Sequence, residues 1–142
     1  MSTRAIIAYA SGAGRWKGVY NHWDGYTESL GSELIKRVAT FDGDLSRMLR
    51  QYVDRCPEGW SSLQEGRRAD DGVGFLHGSI TERGASVDSG IGRSTEYLYV
   101  FNIADRTLCV FESSPKPVKP FGQVVFDASG AATPAELPRV CK

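Results

Sequence analysis

Three polar side chains alternate near the N-terminus of the chain, at Tyr20, His22 and Asp24 within the stretch GVYNHWDGYTESLG. Residues two apart in an extended strand share a face, so these three side chains are expected to line one side. A carboxylate beside an imidazole fixes the ring's tautomer, which suits a general base or a metal ligand. His22 and Asp24 are therefore the candidate catalytic pair, with Tyr20 or an arginine stabilising developing charge.

An architectural role is the alternative for the same stretch. Asp24 would then cap the following helix, Gly25 would supply an unusual backbone angle, and the rings would bridge sheet to helix. The opposite face of the strand carries Val19, Asn21 and Trp23. Alternation therefore predicts that Trp23 anchors the strand in the core while His22 stays accessible to solvent.

The helix expected to begin near Tyr26 or Thr27 offers another kind of site. Its first turn has unpaired N–H groups and the positive end of the helix dipole. Gly31 would allow a ligand to approach closely, and Tyr20, Trp23 or Tyr26 could stack on it. This corner is thus a candidate site for a phosphate-bearing or carboxylate-bearing ligand.

Arginines in a glycine-rich segment form a second candidate group. Residues 64–94 are dense in glycine, which predicts loops with at most one short strand, in VGFLHGSI. The segment carries Arg67, Arg68, Arg83 and Arg93. Their guanidinium groups could close on phosphates or on an acidic protein surface. Neighbouring acidic residues cancel much of the charge, so a solvated loop is the alternative.

The remaining motifs give weaker indications of chemistry. His77 would complete a metal or acid–base cluster only by meeting His22 and Asp24 in space. Because the two histidines lack the HxH or HExxH spacing, we predict no metal and no cofactor. GVGFLHG departs from the GxGxxG spacing at His77, which argues against a dinucleotide loop. Cys109 lies in an apolar strand, where a thiol behaves as a small hydrophobe.

Two hairpins and two helices are predicted to position these residues. RAIIAYA and WKGVYNHW flank the turn SGAGR, TEYLYVFNI and RTLCVFES form a second hairpin, and FGQVVFD is a final strand. Apolar spacings of three and four predict helices near residues 28–41 and 45–55, the second capped by Asp44. The expected fold class is α+β: a single domain over residues 1–142, with a mostly antiparallel sheet and both helices packed on one face.

Composition narrows the class of partner. The 17 basic and 17 acidic residues cancel, so no whole-chain field favours nucleic acid or an anionic membrane. No apolar run reaches the length of a signal-peptide core or a membrane span. Cys56, Cys109 and Cys141 form no CxxC pair, which favours reduced thiols and a cytoplasmic location.

The residues MSTRAII and GVYNHWDGYTESLGSEL resemble the start of a family of small uncharacterised proteins of bacteria, plasmids and phages. In that family a short hairpin leads into a Tyr-x-His-Trp-Asp-Gly-Tyr motif and a helix that opens with glycine. The matching positions here are Tyr20, His22, Trp23, Asp24, Gly25, Tyr26 and Gly31. Thr27 stands where a proline commonly follows the second tyrosine. The resemblance implies relationship and a phage or mobile-element setting, but no particular activity.

Three functions from different classes follow. The first is a non-enzymatic binding protein, carried by a phage or mobile element for counter-defence, whose target is a nucleotide-like small molecule or a host defence protein. Its predicted ligand-binding residues are Tyr20, His22, Asp24, Tyr26, Arg67, Arg68 and Arg93. The second is a small hydrolase or transferase that uses the His22/Asp24 pair. The third is a structural or regulatory interaction module, with homodimer formation through EYLYVF at a sheet edge.

Overall fold

The computed structural model describes residues 3–69, 74–81, 84–88, 95–112 and 119–137. Within these ranges one sheet holds the strands β1 (Ala5–Gly12), β2 (Arg15–Asn21), β3 (Trp60–Ser62), β4 (Arg67–Arg68), β5 (Leu76–Thr81), β6 (Gly84–Val87), β7 (Tyr97–Asn102), β8 (Thr107–Glu112), β9 (Lys119–Phe126) and β10 (Ala132–Thr133). Two helices lie between β2 and β3. They are α1 (Ser32–Thr40), which continues a π-helical turn at Thr27–Gly31, and α2 (Leu45–Leu49), which continues into a π-helical turn at Arg50–Asp54.

The sheet is mostly antiparallel, as predicted, with strand order β10-β9-β8-β7-β1-β2-β3-β4. The N-terminal hairpin joins the later β7–β8 hairpin through a parallel pairing of β1 with β7, and β2 also pairs in parallel with β3. The EYLYVF segment falls largely in β7, which is paired on both sides by β1 and β8. The hypothesis that this segment offers a free sheet edge is therefore wrong.

Alternation along β1 divides the interior into two apolar clusters on opposite faces of the sheet. Ala5 and Ile7 face the helices, whereas Ile6 and Ala8 face the side that β5 and β6 cover. The helical side contains the fully or almost fully buried residues Leu34, Val38, Leu49 and Val53. Their burial confirms the two amphipathic helices packed on one face of an α+β domain. Within the described residues, neither helix is long and apolar enough to cross a membrane.

The observed cap residue matches the prediction at one helix and differs from it at the other. Asp44 Oδ1 accepts a hydrogen bond of 3.0 Å from the Arg47 backbone N–H, so Asp44 caps α2 as predicted. The first helical turn instead begins after Tyr26, whose carbonyl accepts from the Leu30 N–H at 3.0 Å. Asp24 lies outside this turn, and the prediction that it caps the helix is wrong.

The glycine-rich segment contains more regular structure than predicted. The short strand expected in VGFLHGSI is present as β5, but β4 and β6 were not anticipated. Position 78 in β5 requires glycine because the Trp16 ring lies against it. An added Cβ would sit 2.5 Å from that ring and collide with the Ser86 carbonyl. The Trp16 indole N–H donates to the same carbonyl at 3.0 Å. Glycine here permits close packing between strands rather than marking a loop.

Candidate ligand-binding site

The candidate site lies where β2 ends and the chain turns toward the first helix. Asn21 is fully buried, and its side chain accepts from the Leu63 N–H at 3.0 Å and donates to the Trp23 carbonyl at 2.9 Å. The His22 and Trp23 N–H groups donate to the carbonyls of Trp60 and Ser61, at 3.0 and 2.9 Å. These four hydrogen bonds hold the backbone of the corner in one conformation.

Trp23 is exposed to solvent over 42% of its surface. The prediction that it anchors the strand in the core is wrong, because β2 ends at Asn21 and the period of two does not extend past the end of the strand. Val19 and Asn21 do face the interior, as alternation predicted. The corner therefore presents a large aromatic ring outward from a well-fixed backbone.

Tyr20 lies in β2 and His22 directly follows the end of this strand, and their side chains meet on one side of the chain, as their spacing predicted. The Tyr20 hydroxyl oxygen lies 2.9 Å from His22 Nδ1, and the His22 ring meets the Trp23 ring edge-on with 4.7 Å between centroids. Burial raises the pKa of the Tyr20 hydroxyl; the positive charge of Arg4 opposes this shift, and Glu96 adds to it. The phenol consequently stays protonated at neutral pH, as a hydrogen-bonding group beside the imidazole.

Asp24 does not take the role expected of it toward His22. Its side chain is exposed, and among the described contacts no hydrogen bond joins it to the imidazole. The left-handed backbone of the corner also belongs to Asp24, with φ 56°, and not to Gly25. Gly25 instead lies close to β1, where an added Cβ would be 2.7 Å from the Ala5 Cβ. Tyr20 is thus the residue that orients His22.

Tyr26 and the helix N-terminus lie apart from the Tyr20–His22 pair. Tyr26 is half-buried against the helical side of the core, whereas Tyr20 packs on the opposite cluster. Gly31 is buried, and a Cβ there would lie 2.8 Å from Leu137 Cδ1 and 3.4 Å from Tyr99 Cε1. The space predicted for an approaching ligand is therefore filled by the protein's own side chains.

Arg67 and Arg68 lie in β4, which pairs with β3 and so is two strands from the end of β2. At about 5 Å between neighbouring strands, this separation is on the order of 10 Å. Arg67 is 3.2 Å from Glu65, and Arg68 is 3.4 Å from Glu58. Both arginine side chains remain more than half exposed, at 57% and 54%. Their exposed ion pairs can exchange a carboxylate for a phosphate at little cost.

The remaining predicted participants are Arg83, Arg93 and His77. Arg83 and Arg93 lie outside the described residues. His77 is exposed and pairs with Lys17 in β2, about 16 Å along the strand from His22, so the two histidines do not meet. In the described ranges, no three His, Cys, Asp or Glu side chains are grouped so as to hold a metal ion.

Two residues that position the corner were not anticipated from the sequence. Asn21 occupies an inward position of an alternating strand, and a polar residue at such a position is the signal that should have identified it. Gln64 donates from Nε2 to the Asp24 carbonyl at 2.8 Å and contacts Ser29 Oγ at 2.7 Å. No local sequence signal connects Gln64 with residues so distant in the chain.

Comparison with known proteins identified no relative of the chain. No protein-family model matches the chain, and neither curated proteins nor solved structures yielded a match. The resemblance of the Tyr-x-His-Trp-Asp-Gly-Tyr motif therefore stays a prediction.

Proposed function

We propose that the chain is a non-enzymatic binding protein whose ligand is a nucleotide-like small molecule held at the Tyr20–His22–Trp23 corner. The observation that carries the proposal is the exposed Trp23 ring on a backbone fixed by Asn21, Trp60 and Ser61. A tryptophan held outward in this way loses little freedom on binding, which favours stacking on a planar base.

The surrounding side chains suit the rest of such a ligand. The Tyr20–His22 pair supplies hydrogen-bonding groups next to the stacking ring, and Arg67 supplies a cation two strands away for phosphate oxygens. The Arg68 guanidinium lies instead over the Trp60 ring, 5.9 Å from its centroid, on the helical side of the sheet. The phage or mobile-element setting and a counter-defence role are part of the proposal and rest on the motif resemblance. The unpaired thiols of Cys56 and Cys109 support a cytoplasmic location.

Thermal unfolding with a panel of linear and cyclic nucleotides tests the proposal. A ligand that binds only the folded state must raise the melting temperature, and Trp23→Ala should remove this increase without lowering the baseline melting temperature by more than a few degrees. If no nucleotide stabilises the wild-type protein, the small-molecule proposal fails and a host protein becomes the partner to seek.

The hydrolase or transferase hypothesis has weaker geometric support. A His22/Asp24 acid–base pair requires the carboxylate to orient the imidazole, and the ring is instead bonded to Tyr20. Proton transfer by the Tyr20–His22 pair stays a prediction. Mass spectrometry of a bound nucleotide after incubation with stoichiometric protein distinguishes the two functions: binding returns it intact, and catalysis returns it changed.

A further inference from the structure

Three arginines on the second helical segment have no anionic partner among the described residues. Elsewhere in those ranges, Arg15, Arg37, Arg67 and Arg68 form ion pairs, Arg106 donates to backbone carbonyls, and Arg4 also lacks an ion pair. Arg47, Arg50 and Arg55 are exposed and make no such contact in the described part of the chain. In a chain with zero formal net charge, this segment concentrates unneutralised positive charge.

The three side chains surround one groove. It has a volume of about 230 Å³ and is lined by Arg47, Arg50, Gln51 and Arg55. The three acidic residues nearest in sequence are engaged elsewhere. Asp54 accepts hydrogen bonds from the Tyr9 hydroxyl at 2.7 Å and from Lys17 Nζ at 3.1 Å, Asp44 caps α2, and Glu58 is paired with Arg68. Three of the four lining side chains are therefore cations that face a common space without a carboxylate among them.

We infer that this groove, which we call the arginine groove, binds a compact oligophosphate anion such as a pyrophosphate group. Guanidinium groups present several N–H donors in a fixed plane and pair with phosphate oxygens in a bidentate manner. Mutual repulsion of three cations is relieved when a multiply charged anion enters, so a diphosphate gains more than a singly charged anion. The groove is bounded by four residues of one helical segment, which matches a small anion rather than a long chain.

The site is separate in residues from the Tyr20–His22–Trp23 corner and goes beyond the function proposed there. Isothermal titration calorimetry with inorganic pyrophosphate, at constant ionic strength, measures the affinity of the arginine groove directly. Arg50→Gln should weaken pyrophosphate binding by at least about tenfold, since one charge-assisted contact is lost. Lys36→Gln is the matched control, because it removes an equal charge from an exposed position of α1. Glutamine is a good helix former, so both variants should keep the wild-type melting temperature.

The proposal holds if wild type and Lys36→Gln bind pyrophosphate equally and Arg50→Gln binds at least about tenfold more weakly. Absence of binding to the wild type would overturn it, as would equal binding by all three proteins. Tighter binding of a single-stranded oligonucleotide than of pyrophosphate would also overturn it, because the ligand would then be a chain. Trp23→Ala should leave pyrophosphate binding unchanged, so failure here is distinguishable from failure at the corner.

Discussion

The Tyr20 hydroxyl and His22 Nδ1 lie 2.9 Å apart at the end of β2 and form the hydrogen bond that orients the imidazole of the corner. The carboxylate of Asp24, two residues further on, is not bonded to the ring. Ring orientation is thus set from within the strand, where neighbouring β1 and β3 hold the backbone, rather than from the exposed turn that follows.

Tyr20→Phe should therefore weaken nucleotide binding at the corner about fivefold, because it removes the hydrogen bond that positions the ligand-contacting His22 ring. Asp24→Asn should leave affinity and stability unchanged, because asparagine tolerates the same left-handed backbone angle. Affinity measured by titration of both variants decides between the two orienting groups. A larger loss with Asp24→Asn than with Tyr20→Phe would contradict this assignment.

Trp23→Ala and Trp16→Ala should differ sharply in stability. Trp23 is 42% exposed, so its truncation should cost less than about 1 kcal/mol of unfolding free energy, as surface changes do. Trp16 is fully buried and its indole N–H donates a hydrogen bond to the Ser86 carbonyl, so Trp16→Ala should cost about 3 to 5 kcal/mol of unfolding free energy. Urea unfolding monitored by circular dichroism gives both values, and similar costs for the two would disprove the exposure of Trp23.

Much of this architecture was predictable from the sequence because it depends on local periodicity. Predicting the amphipathic helices and the Asp44 cap required only the spacing of residues within one element. The parallel pairing of β1 with β7 and the strands β3 and β4 depend on contacts between distant segments, which no local pattern encodes. At the corner, alternation correctly put Tyr20 and His22 on one side but failed at Trp23, two residues past the end of β2.

Gly78→Ala should destabilise the fold far more than Gly74→Ala. A methyl group at residue 78 would meet the Trp16 ring and the Ser86 carbonyl, so strands β2, β5 and β6 must separate, at about 3 kcal/mol or more. Residue 74 has open space around it, and only its φ of 76° imposes a cost, about 1 kcal/mol. Equal urea midpoints for the two variants would show that Gly78 is not a packing position.

Stability should fall between pH 10 and pH 12, in part because of Tyr9. Burial raises the pKa of its hydroxyl from 10.0 to about 12, with further contributions from the hydrogen bond to Asp54 and from its charge. A raised pKa means that the folded state retains the proton longer than the unfolded state. The stabilising effect is then complete below pH 10 and is lost as pH rises through 12.

Tyr9→Phe should accordingly lose less unfolding free energy than wild type across this interval, and Asp54→Asn should give an intermediate loss because burial remains. Urea unfolding at a series of alkaline pH values provides the comparison. Identical pH dependence in wild type and Tyr9→Phe would exclude a Tyr9 contribution.

The most direct test of the corner is a nucleotide titration followed through the indole N–H signals of the three tryptophans in a ¹H–¹⁵N correlation spectrum. Trp16 and Trp60 donate these N–H groups to the Ser86 and Tyr52 carbonyls inside the fold. A Trp23→Phe variant assigns the remaining signal. We predict that the Trp23 signal shifts progressively to saturation while the other two stay in place. A spectrum in which the Trp23 signal is unmoved by every nucleotide, or in which all three signals shift alike, would contradict a ligand site at this corner.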